Sequence, residues 1–416
     1  MKPYIKGKVS KKMHISVISK YAVVPGFGSN PRWFWLARGM IGTDHSVQIV
    51  TSDSNHGSSF GGTSADLETI SFDGVEYIIL KTRQYIRTAS VARVISWFDF
   101  DFKLFRHSRH MAPDVVVISS LSLTSIIFGI YLKRRHGSRL VFEVRDIWPL
   151  TMIEEGGFSR FHPLVLYLRF IELWGYRRAD LIVGTMPNLK QHVIESGIDK
   201  PDSAFHTCGI GVLPERAEPG GSFEFDDDIE AMMRARTIIG YCGSIGLTNN
   251  LHDFVDYMGE CQRDDVMFVI AGDGADRQAF EARLAGRDNV FFTGRIAPDQ
   301  VQGFLRRCDI LFLSTLPSKV WDYGQSMNKV VDYMLAGKYI VAQYTGFPSF
   351  INEAGCGVFT DGEGLAKSLD AALDMSAAAR DAAGMSGREW LLATQNYETL
   401  ARDYLRRIED CFETGR

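Results

Sequence analysis

The stretch YGQSMNKVVDYMLAGKYIVA, residues Tyr323 to Ala342, predicts a helix that leads directly into a buried strand. Ser326 is a suitable N-cap, residues 327–336 contain no helix breaker, and Gly337 suits the left-handed position that ends a helix. The apolar run from Tyr339 to Ala342 has the length and composition of a buried strand. A helix followed by a buried strand is the unit from which parallel α/β domains are built.

Two opposite charges, Lys329 and Asp332, lie one turn apart on this helix. The start of the helix also offers free N–H groups and the positive end of the helix dipole to an anion. The spacing alone allows two interpretations. Either the pair forms a solvated salt bridge, which contributes little to stability, or the two side chains face one ligand.

The same alternation of short apolar runs and amphipathic stretches continues through both halves of the chain, which predicts two parallel α/β domains. The strands predicted in the first half are His14–Ser19, Ser46–Thr51, Val75–Leu80, Val115–Ser119, Leu140–Val144 and Leu181–Gly184. Those predicted in the second half are Thr237–Cys242, Met267–Ala271, Val290–Thr293, Ile310–Leu313 and Tyr339–Ala342. Ligands of such sheets bind at the carboxyl ends of the strands, so the loops after the strands are the candidate sites.

A chain of 416 residues is long enough for two large cores, and its composition, 45% hydrophobic and 23% charged, is that of a globular protein. The segment LPERAEPGGSFEFDDD is rich in proline, glycine and acidic residues and predicts a linker. We therefore predict a first domain over residues 1–212, a linker over 213–236 and a second domain over 237–396. An amphipathic helix within 397–416 has to pack on another element, and we expect it on the first domain.

Charge and cysteine content narrow the class of protein. Residues 1–212 carry 26 Lys and Arg against 18 Asp and Glu, or +8, while the remainder carries 20 against 32, or −12. The first half is thus suited to an anionic surface.

The six cysteines include no C-x-x-C pair, which favours free thiols in a reducing cytoplasm. No N-terminal signal is visible, and the apolar run from Ser119 to Leu132 is too short for a bilayer span, so a soluble or peripheral protein is expected.

Two loops of the first half carry candidate functional residues. Gly26 and Gly28 follow the first strand and precede a helix, where they form either a site that a ligand approaches closely or a plain tight turn. Arg145 and Asp146 follow the fifth predicted strand in the sequence RDIWPL. A charged pair at this position either points into a cleft and serves a ligand, or forms a structural salt bridge that the following tryptophan covers.

Three loops of the second half lie at the predicted edge of one sheet. In GYCGSIGLTNN, the backbone N–H groups around Gly243 and Ser244 are suited to cradling a phosphate. The segment is not a Walker A loop, because no G-K-[ST] follows. The segments AGDGADR and TGRIAPDQ are further strand-end loops, and each alone is compatible with an ordinary turn. Several such loops at one edge favour a ligand site.

The order of these motifs resembles a known family. From about Ile15 to Leu405, the chain is similar to GT-B glycosyltransferases of the large retaining family four. The motifs that carry this similarity are the early glycine loop, RDIWP, GYCGSIG, AGDG, VFFTGRIAPDQVQGFLRRCDILFLS and QSMNKVVDYMLAGKYIV. RDIWP and YGQSMNKVVDYMLAG resemble the subset that builds bacterial O-antigen and capsule repeats, including fucosaminyltransferase-like proteins. The resemblance implies two doubly wound Rossmann-like domains that face each other across a cleft.

The resemblance also implies roles for individual residues. Asp332 takes the second acidic position of the family's E-x7-E motif and would bind the ribose hydroxyls of a sugar nucleotide, and Lys329 would contact its diphosphate. The other donor-binding residues implied are Gly243 and Ser244 at the diphosphate, Arg295 and Ile296 at the base, Gly26 and Gly28 near the transferred sugar, and Asn328.

Two positions depart from the family's pattern. The first acid of E-x7-E falls at Gly324, so the usual side-chain contact to donor-sugar hydroxyls is missing. The family commonly has a pair of basic residues after the first strand of the second domain, and this chain has Leu247, Thr248 and Asn249 in that region. We therefore expect Lys329 to carry more of the phosphate charge than is usual in the family.

The activity that the resemblance implies is retaining transfer of a hexosyl or N-acetylhexosaminyl group. The donor is a nucleotide sugar, UDP-linked, and the acceptor is a polyprenyl-diphosphate-linked saccharide. Lys329 is the expected stabiliser of the leaving diphosphate, while Asp146, with Arg145 as its partner, orients the acceptor or the sugar. No metal, cofactor or nucleic-acid partner is expected, because no D-x-D motif stands beside a suitable strand and the DFD at Asp99–Asp101 belongs to an amphipathic segment.

The segments Arg93–His110 and Phe158–Arg178 mix aromatic residues with arginine and histidine. They either bind an anionic membrane surface or are ordinary helices with basic outer faces. The first alternative predicts a peripheral protein at the cytoplasmic face of the bacterial inner membrane. Two other functions stay open at this point: a nucleotide-sugar 2-epimerase of the same architecture, and an inactive homologue that serves as a scaffold in an envelope-polymer assembly.

Overall fold

Two parallel sheets, one in each half of the chain, organise the structure. The computed structural model describes residues 12–28, 31–42, 45–55, 58, 60–86, 90–213 and 221–413. Each sheet has a hydrophobic cluster on both of its faces, as expected for a doubly wound α/β domain. This architecture confirms the predicted fold class, a GT-B fold of two Rossmann-like domains.

Eight strands form the sheet of the first domain. They are β1 (His14–Ile18), β2 (Ser46–Ser52), β3 (Leu67–Phe72), β4 (Val75–Leu80), β5 (Val115–Ser119), β6 (Arg139–Val144), β7 (Leu181–Gly184) and β8 (Phe205–Thr207). The spatial order is β3-β4-β2-β1-β5-β6-β7-β8, and all neighbours are parallel except the β3–β4 pair at one edge. The apolar pattern misses β3 and β8. The dipeptide Asp73-Gly74 is a sequence signal that could have indicated β3, because Asp-Gly is typical of the tight turn in a β-hairpin. In the turn between β3 and β4, Asp73 and Gly74 take positive φ angles of 46° and 82°.

Six of the described α-helices in the first half of the chain pack on this sheet. They are α1 (Arg32–Ile41), α2 (Val91–His107), α3 (Ile126–His136), α4 (Leu150–Glu154), α5 (Pro163–Arg178) and α6 (Leu189–Glu195). α1 lies on one face of the sheet, and α2, α3 and α5 lie on the other. Glycines let two of them approach closely: a Cβ atom at Gly129 would lie 2.6 Å from Ile118, and one at Gly175 would lie 2.9 Å from Phe142. Within the described ranges, no helix is long and apolar enough to cross a membrane.

The second domain is built on six strands that are all parallel to their neighbours. They are β9 (Thr237–Cys242), β10 (Val266–Ala271), β11 (Val290–Gly294), β12 (Ile310–Ser314), β13 (Tyr339–Gln343) and β14 (Gly357–Thr360). Their order is β11-β10-β9-β12-β13-β14. The helices are α7 (Asp227–Met233), α8 (His252–Glu260), α9 (Arg277–Arg283), α10 (Val301–Arg306), α11 (Asn328–Leu335), α12 (Phe350–Glu353), α13 (Leu365–Asp374) and α14 (Ala377–Thr394). The apolar pattern misses only β14, an edge strand of four half-buried residues.

The predicted linker over residues 213–236 contains part of the second domain. Helix α7 lies within it, and Phe225 and Met233 are buried in the core of the second domain. Residues 214–220 lie outside the described residues. The second domain therefore includes residues that the proline- and acid-rich composition assigned to the linker.

Helix α11 and strand β13 confirm the helix–strand unit predicted over residues 323–342, with a correction at the start of the helix. α11 begins at Asn328, and Met327 before it makes no side-chain capping hydrogen bond, so Ser326 is not the N-cap. Gly337 takes the predicted left-handed conformation, with a φ of 70°.

Helix α15 (Tyr397–Glu413) packs on α1 and completes one hydrophobic cluster of the first domain. The ring centroids of Trp33 and Tyr404 lie 5.9 Å apart, and a Cβ atom at Gly39 would lie 2.5 Å from the Cβ of Ala401. A parallel β-bridge joins Val212 to Asn396. The chain thus leaves the first domain and returns to it at the same place.

Candidate active site

The loop after β9 uses some of its backbone N–H groups for packing. The N–H of Gly243 donates to the Ala271 carbonyl, and the N–H of Ile245 donates to the Asp273 carbonyl, each at 2.9 Å. The Ser244 N–H between them has no hydrogen-bond partner among the described residues. The prediction that Gly243 offers its N–H to a phosphate is therefore wrong, and Ser244 is the available donor of the pair.

The loops after β10 and β11 pack against this loop through close backbone contacts. The N–H of Gly272 donates to the Gly294 carbonyl at 2.8 Å. A Cβ atom at Gly272 would overlap the Gly243 carbonyl oxygen. Glycine at position 272 is thus required by loop packing, a structural role that the sequence motif alone does not distinguish from phosphate binding.

Tyr333 holds helix α11 against the end of β9. Its buried hydroxyl accepts a hydrogen bond from the Cys242 N–H at 2.9 Å and lies 3.3 Å from the Cys242 carbonyl oxygen. Lys329 stands one turn earlier on the same face of the helix. This anchor places the Lys329 ammonium over the β9 loop, where a Cβ atom at Gly243 would lie 2.7 Å from Lys329 Nζ.

Two neutral side chains bind the Lys329 ammonium. It donates to Asn249 Oδ1 at 2.7 Å and to the Tyr241 hydroxyl at 3.0 Å, and it lies 4.5 Å from the centroid of the Tyr241 ring. No carboxylate of the described residues lies within ion-pair distance, so the interpretation of Lys329 and Asp332 as a salt bridge is wrong. An ammonium has three N–H donors, which leaves one for a ligand.

Burial lowers the pKa of Lys329 to about 8, and the neighbouring Cys242 opposes this shift only in part. A buried cation that has no opposite charge beside it is stabilised when an anion binds. The position of Lys329 is therefore one where an anionic ligand gains electrostatic stabilisation.

Tyr241 and Asn249 also hold the β9 loop in place, and sequence reasoning missed both as site residues. The Tyr241 hydroxyl donates to the Ser244 carbonyl at 2.7 Å, and Asn249 Nδ2 donates to the same carbonyl at 2.9 Å. For Tyr241, the available signal is a hydroxyl at the end of an apolar strand, directly before a glycine loop. The sequence marks Asn249 only as a departure from the family's basic pair.

The other donor-binding residues predicted in the second domain lie at the same edge of the sheet. Asp332 is half-buried near Cys242, and its charge adds to burial in raising the pKa of the Cys242 thiol to about 11. Asn328 is exposed at the start of α11. Exposed Arg295 and half-buried Ile296 directly follow β11. Asp332 is thus placed beside the end of β9, whereas Arg295 and Ile296 follow a strand two positions further along the sheet.

Gly26 and Gly28 are exposed in the turn after β1, in the first domain. Gly26 takes a φ of 83°, a conformation that favours glycine, and a Cβ atom there would meet nothing within 4 Å. Glycine at position 26 is thus explained by backbone conformation, and the space around it is open to a ligand.

Arg145, at the end of β6, is fixed through its backbone. Its N–H donates to the Ser120 hydroxyl at 2.9 Å, and its carbonyl accepts from the Thr185 hydroxyl at 3.1 Å. Its guanidinium makes no hydrogen bond or ion pair to any described residue. The first-domain loops are likewise not joined to Lys329 by such a contact within the described ranges.

The predicted partnership of Arg145 and Asp146 is not present as an ion pair among the described residues. Burial lowers the pKa of Arg145, and the nearby guanidinium of Arg32 adds to that shift. The surrounding protein raises the pKa of Asp146, although its side chain is open to solvent. Arg32 is itself paired with the buried Glu143 at 2.9 Å, so Arg145 is the guanidinium that remains available to a ligand.

A further cation reaches this part of the cleft from helix α2. The Arg93 guanidinium lies 5.5 Å from the ring centroid of Tyr21 and 5.7 Å from those of Trp97 and Trp148. Its charge opposes the raised pKa of Asp146. The sequence places Arg93 only in a segment that either binds a membrane or is an ordinary helix with a basic outer face, because nothing in it places the start of α2 beside the RDIWP loop.

The position of the family's missing first acid lies where the two domains meet. Gly324 takes a φ of 98°, and a Cβ atom there would overlap the Pro187 ring. Beside it, the Tyr323 hydroxyl donates to Glu195 at 2.6 Å, and the Asn188 N–H donates to the Tyr323 carbonyl at 3.0 Å. A glutamate at position 324 would be strained in this conformation, so the departure from the family's pattern has a structural cause.

Among the described residues, no three His, Cys, Asp or Glu side chains gather as they would around a metal ion. In the DFD segment, Asp99 pairs with Lys103 at 3.7 Å, and Asp101 accepts from the Ser125 hydroxyl at 2.6 Å. These two acids therefore have structural partners. That the reaction needs no metal or cofactor stays a prediction.

Comparison with known families identifies the class of the chain. A family model described as "Glycosyl transferase 4-like domain" matches residues 27–208, and one described as "Glycosyl transferases group 1" matches residues 236–375. With the two facing Rossmann-like domains, these matches show that the chain is a glycosyltransferase of the GT-B fold. No curated protein matches the chain significantly in sequence.

Solved structures of the same fold cover almost the whole chain. An E. coli structure described as trehalose-6-phosphate bound with UDP-2-fluoro glucose has a TM-score of 0.70 at 12% identity and covers 95% of this chain and 99% of its own. Sucrose-phosphate synthase from Thermosynechococcus elongatus has a TM-score of 0.67 at 14% identity, over 97% and 100%. WaaG, a glycosyltransferase involved in lipopolysaccharide biosynthesis, has a TM-score of 0.59 at 16% identity, over 94% and 98%.

Proposed function

We propose that this glycosyltransferase transfers a hexosyl or N-acetylhexosaminyl group from a UDP-linked sugar to a polyprenyl-diphosphate-linked saccharide, in the synthesis of a bacterial O-antigen or capsule. The observation that carries the proposal is the Lys329 ammonium, which neutral side chains hold over the β9 loop with no carboxylate of the described residues beside it. The E. coli structure of the same fold holds UDP-2-fluoro glucose, and WaaG acts in lipopolysaccharide biosynthesis. Both support the donor class and the type of product.

In the proposed donor complex, the diphosphate lies between Lys329 and the Ser244 N–H. Both groups have a donor that no described residue uses, and the Lys329 charge strengthens its hydrogen bond. Asp332, one turn further along α11, accepts hydrogen bonds from the ribose hydroxyls. The base lies against the backbone of Arg295 and Ile296.

The proposed chemistry is a displacement on one face of the sugar, with retention at the anomeric carbon. The bond from the anomeric carbon to the diphosphate oxygen breaks, and a bond to the acceptor hydroxyl oxygen forms on the same face. Because the bond forms on the same face, no protein nucleophile is required, and because the hydroxyl proton passes to the departing diphosphate oxygen, no protein base is required. Negative charge grows on the leaving group in the transition state, and Lys329 stabilises it there.

We assign Arg145 and Asp146 to the acceptor or to the transferred sugar, which lies near Gly26 and Gly28. Because no ion pair joins the two side chains, Arg145 is able to bind an anionic group of a substrate while Asp146 accepts a hydrogen bond from a hydroxyl. The acceptor would be reached at the cytoplasmic face of the bacterial inner membrane, and the charge of +8 on residues 1–212 supports that location.

Nucleotide release from a panel of sugar nucleotides, with and without a lipid-linked saccharide, tests the proposal. We expect UDP release from one UDP-sugar that rises strongly with the acceptor, and a product whose anomeric configuration equals that of the donor. An epimerised sugar nucleotide formed without acceptor would establish the epimerase instead. A chain that binds UDP but turns over none of the donors would be a scaffold.

A further inference from the structure

Helix α2 carries apolar side chains on two opposite faces. Trp97, Phe100 and Leu104 are buried in the core of the first domain. The outer face of α2 carries four exposed apolar residues, Ile95, Phe98, Phe102 and Phe105. Because they follow one another at spacings of three, four and three residues, they form one stripe along the helix. A run of exposed apolar side chains along a surface helix marks a site of interaction with a protein or a membrane. The outer stripe therefore calls for a partner.

The neighbouring helices α3 and α5 extend this apolar face. On α5, Leu166 and Phe170 are exposed at a four-residue spacing. Phe98 of α2 and Tyr167 of α5 lie 6.2 Å apart between ring centroids, which joins the two stripes. Phe105 contacts Tyr131 of α3 at 5.3 Å between centroids. Phe102 is 65% exposed and Phe170 is 61% exposed, so these rings are the most open members of a continuous surface.

Exposed arginines border this surface. They are Arg109, Arg134, Arg177 and Arg178. None of the four forms an ion pair with a described residue. Each lies at or just beyond the C-terminal end of α2, α3 or α5, and these helices run antiparallel to the strands of a parallel sheet. The arginines therefore lie near the amino ends of the strands, on the side of the sheet away from the cleft. The apolar stripe runs from them toward the cleft.

We infer that the outer face of α2, α3 and α5 binds an anionic lipid bilayer, with Phe102 and Phe170 inserted among the lipids and the arginines at the headgroups. Aromatic rings bordered by cations are suited to the boundary between acyl chains and anionic headgroups. This inference rests on the proposed function, whose acceptor is anchored in the membrane. It differs from attraction by basic charge alone, because the exposed rings form the larger part of the contact.

A second copy of the chain fits the charges of this surface less well. In a symmetric dimer each face would meet an identical one, so the arginines at its border would meet no anionic border on the other copy. An anionic bilayer satisfies both the apolar stripe and its cationic border.

Vesicle flotation of the full chain, with phosphatidylcholine alone and with added phosphatidylglycerol, tests the inference. The test variant is Phe102→Ser with Phe170→Ser, and the matched control is Met385→Ser, an apolar side chain of α14 that is 43% exposed on the second domain. We expect the double variant to bind mixed vesicles at least tenfold more weakly, or about 1.4 kcal/mol, and the control to bind like the parent chain. Arg177→Gln with Arg178→Gln should weaken binding only to the mixed vesicles.

Equal vesicle binding by the parent chain and the double variant would overturn the inference. So would a parent chain that does not bind vesicles but forms a dimer, measured by light scattering, that the double variant loses. A separate assay of glycosyl transfer to a short-chain, water-soluble acceptor distinguishes failure of the membrane surface from failure of the proposed function. If that transfer proceeds while vesicle binding fails, the function stands and the membrane surface does not; vesicle binding without any transfer gives the opposite result.

Discussion

Lys329 is charged near neutral pH but close to losing its proton, because burial lowers its pKa to about 8. Only the charged form binds a diphosphate well, so donor affinity should fall as the pH rises through this pKa. We predict that UDP binds about tenfold more weakly at pH 9 than at pH 7. Isothermal titration across this range measures the effect. Lys329→Met provides the control, since its weak UDP binding should hardly change with pH.

Lys329→Met should also lower kcat/KM by about ten- to a hundredfold, or roughly 1.5–3 kcal/mol, because a charge-assisted contact to the leaving group is lost. The variant should remain folded. The folded-state pKa of Lys329 lies below its unfolded value of 10.5, so burial of the cation opposes folding below pH 8, and this effect fades as the pH rises from about 8 to 10.5. Near-normal turnover of the folded variant would remove Lys329 from the mechanism.

Asp332→Asn should weaken binding of a ribose donor while leaving the fold intact. A carboxylate accepts hydrogen bonds from both ribose hydroxyls, whereas the amide offers one acceptor and one donor group. A 2'-deoxyribose donor has already lost part of this interaction, so the substitution should affect it less. Titration of both donors against both proteins measures the coupling, and strictly additive losses would contradict the ribose assignment.

At the residue scale, sequence reasoning identified the charged side chains but not their partners. From the residues alone, Lys329 was open to two interpretations, and only the resemblance to the family implied a contact with the diphosphate. The contacts of Lys329 with Tyr241 and Asn249 join residues 80 or more positions apart, which spacing on one helix cannot reveal. For the same reason the sequence predicted a partnership of Arg145 and Asp146 that forms no ion pair among the described residues.

At the element scale, the buried parallel strands were predictable, whereas three of the four edge strands, β3, β8 and β14, were not. Central strands are covered on both faces and therefore read as continuous apolar runs, as in Val115–Ser119 and Val266–Ala271. β3 is only partly covered, and β8 has three residues, so neither produces a run. The start of α11 was placed one residue early, because Ser326 has the residue type of an N-cap but not the position.

The segment from residue 319 to 324 in the second domain contacts the first domain, and its conformation depends on glycine. Gly324→Ala should lower the free energy of unfolding by about 1–3 kcal/mol, because the residue has a φ of 98° and its Cβ would overlap Pro187. Chemical unfolding measures this. Gly61→Ala is the control, since its φ is not in the left-handed region and a Cβ there would meet nothing within 4 Å. Equal effects of the two substitutions would show that the contact with Pro187 contributes nothing.

At the scale of the whole molecule, two domains could be predicted because two series of buried strands need two cores. How the chain connects them could not. The linker composition placed the boundary inside the second domain, because the segment around α7 is rich in acidic residues, although Phe225 and Met233 in this region are buried in the core of that domain. The return of α15 to the first domain, by contrast, was predicted and is confirmed, because an amphipathic helix at this position has to pack on another element.

The packing of α15 on α1 predicts that Gly39→Ala destabilises the protein, whereas helix propensity alone predicts that it stabilises it. In an isolated helix, Gly39→Ala would stabilise by up to about 1 kcal/mol through helix propensity. Here the new Cβ would lie 2.5 Å from the Cβ of Ala401, so one helix must shift, and we predict destabilisation of about 1–3 kcal/mol. Ala401→Gly in the same chain should restore part of this loss, because it removes the opposing methyl group. Gly259→Ala in α8, where the new Cβ would make an ordinary contact of 3.8 Å with Leu284, should be neutral or stabilising. Urea unfolding of Gly39→Ala, Ala401→Gly, their double variant and Gly259→Ala measures the coupling between positions 39 and 401. A Gly39→Ala chain as stable as the parent would show that α15 does not dock on α1 in solution.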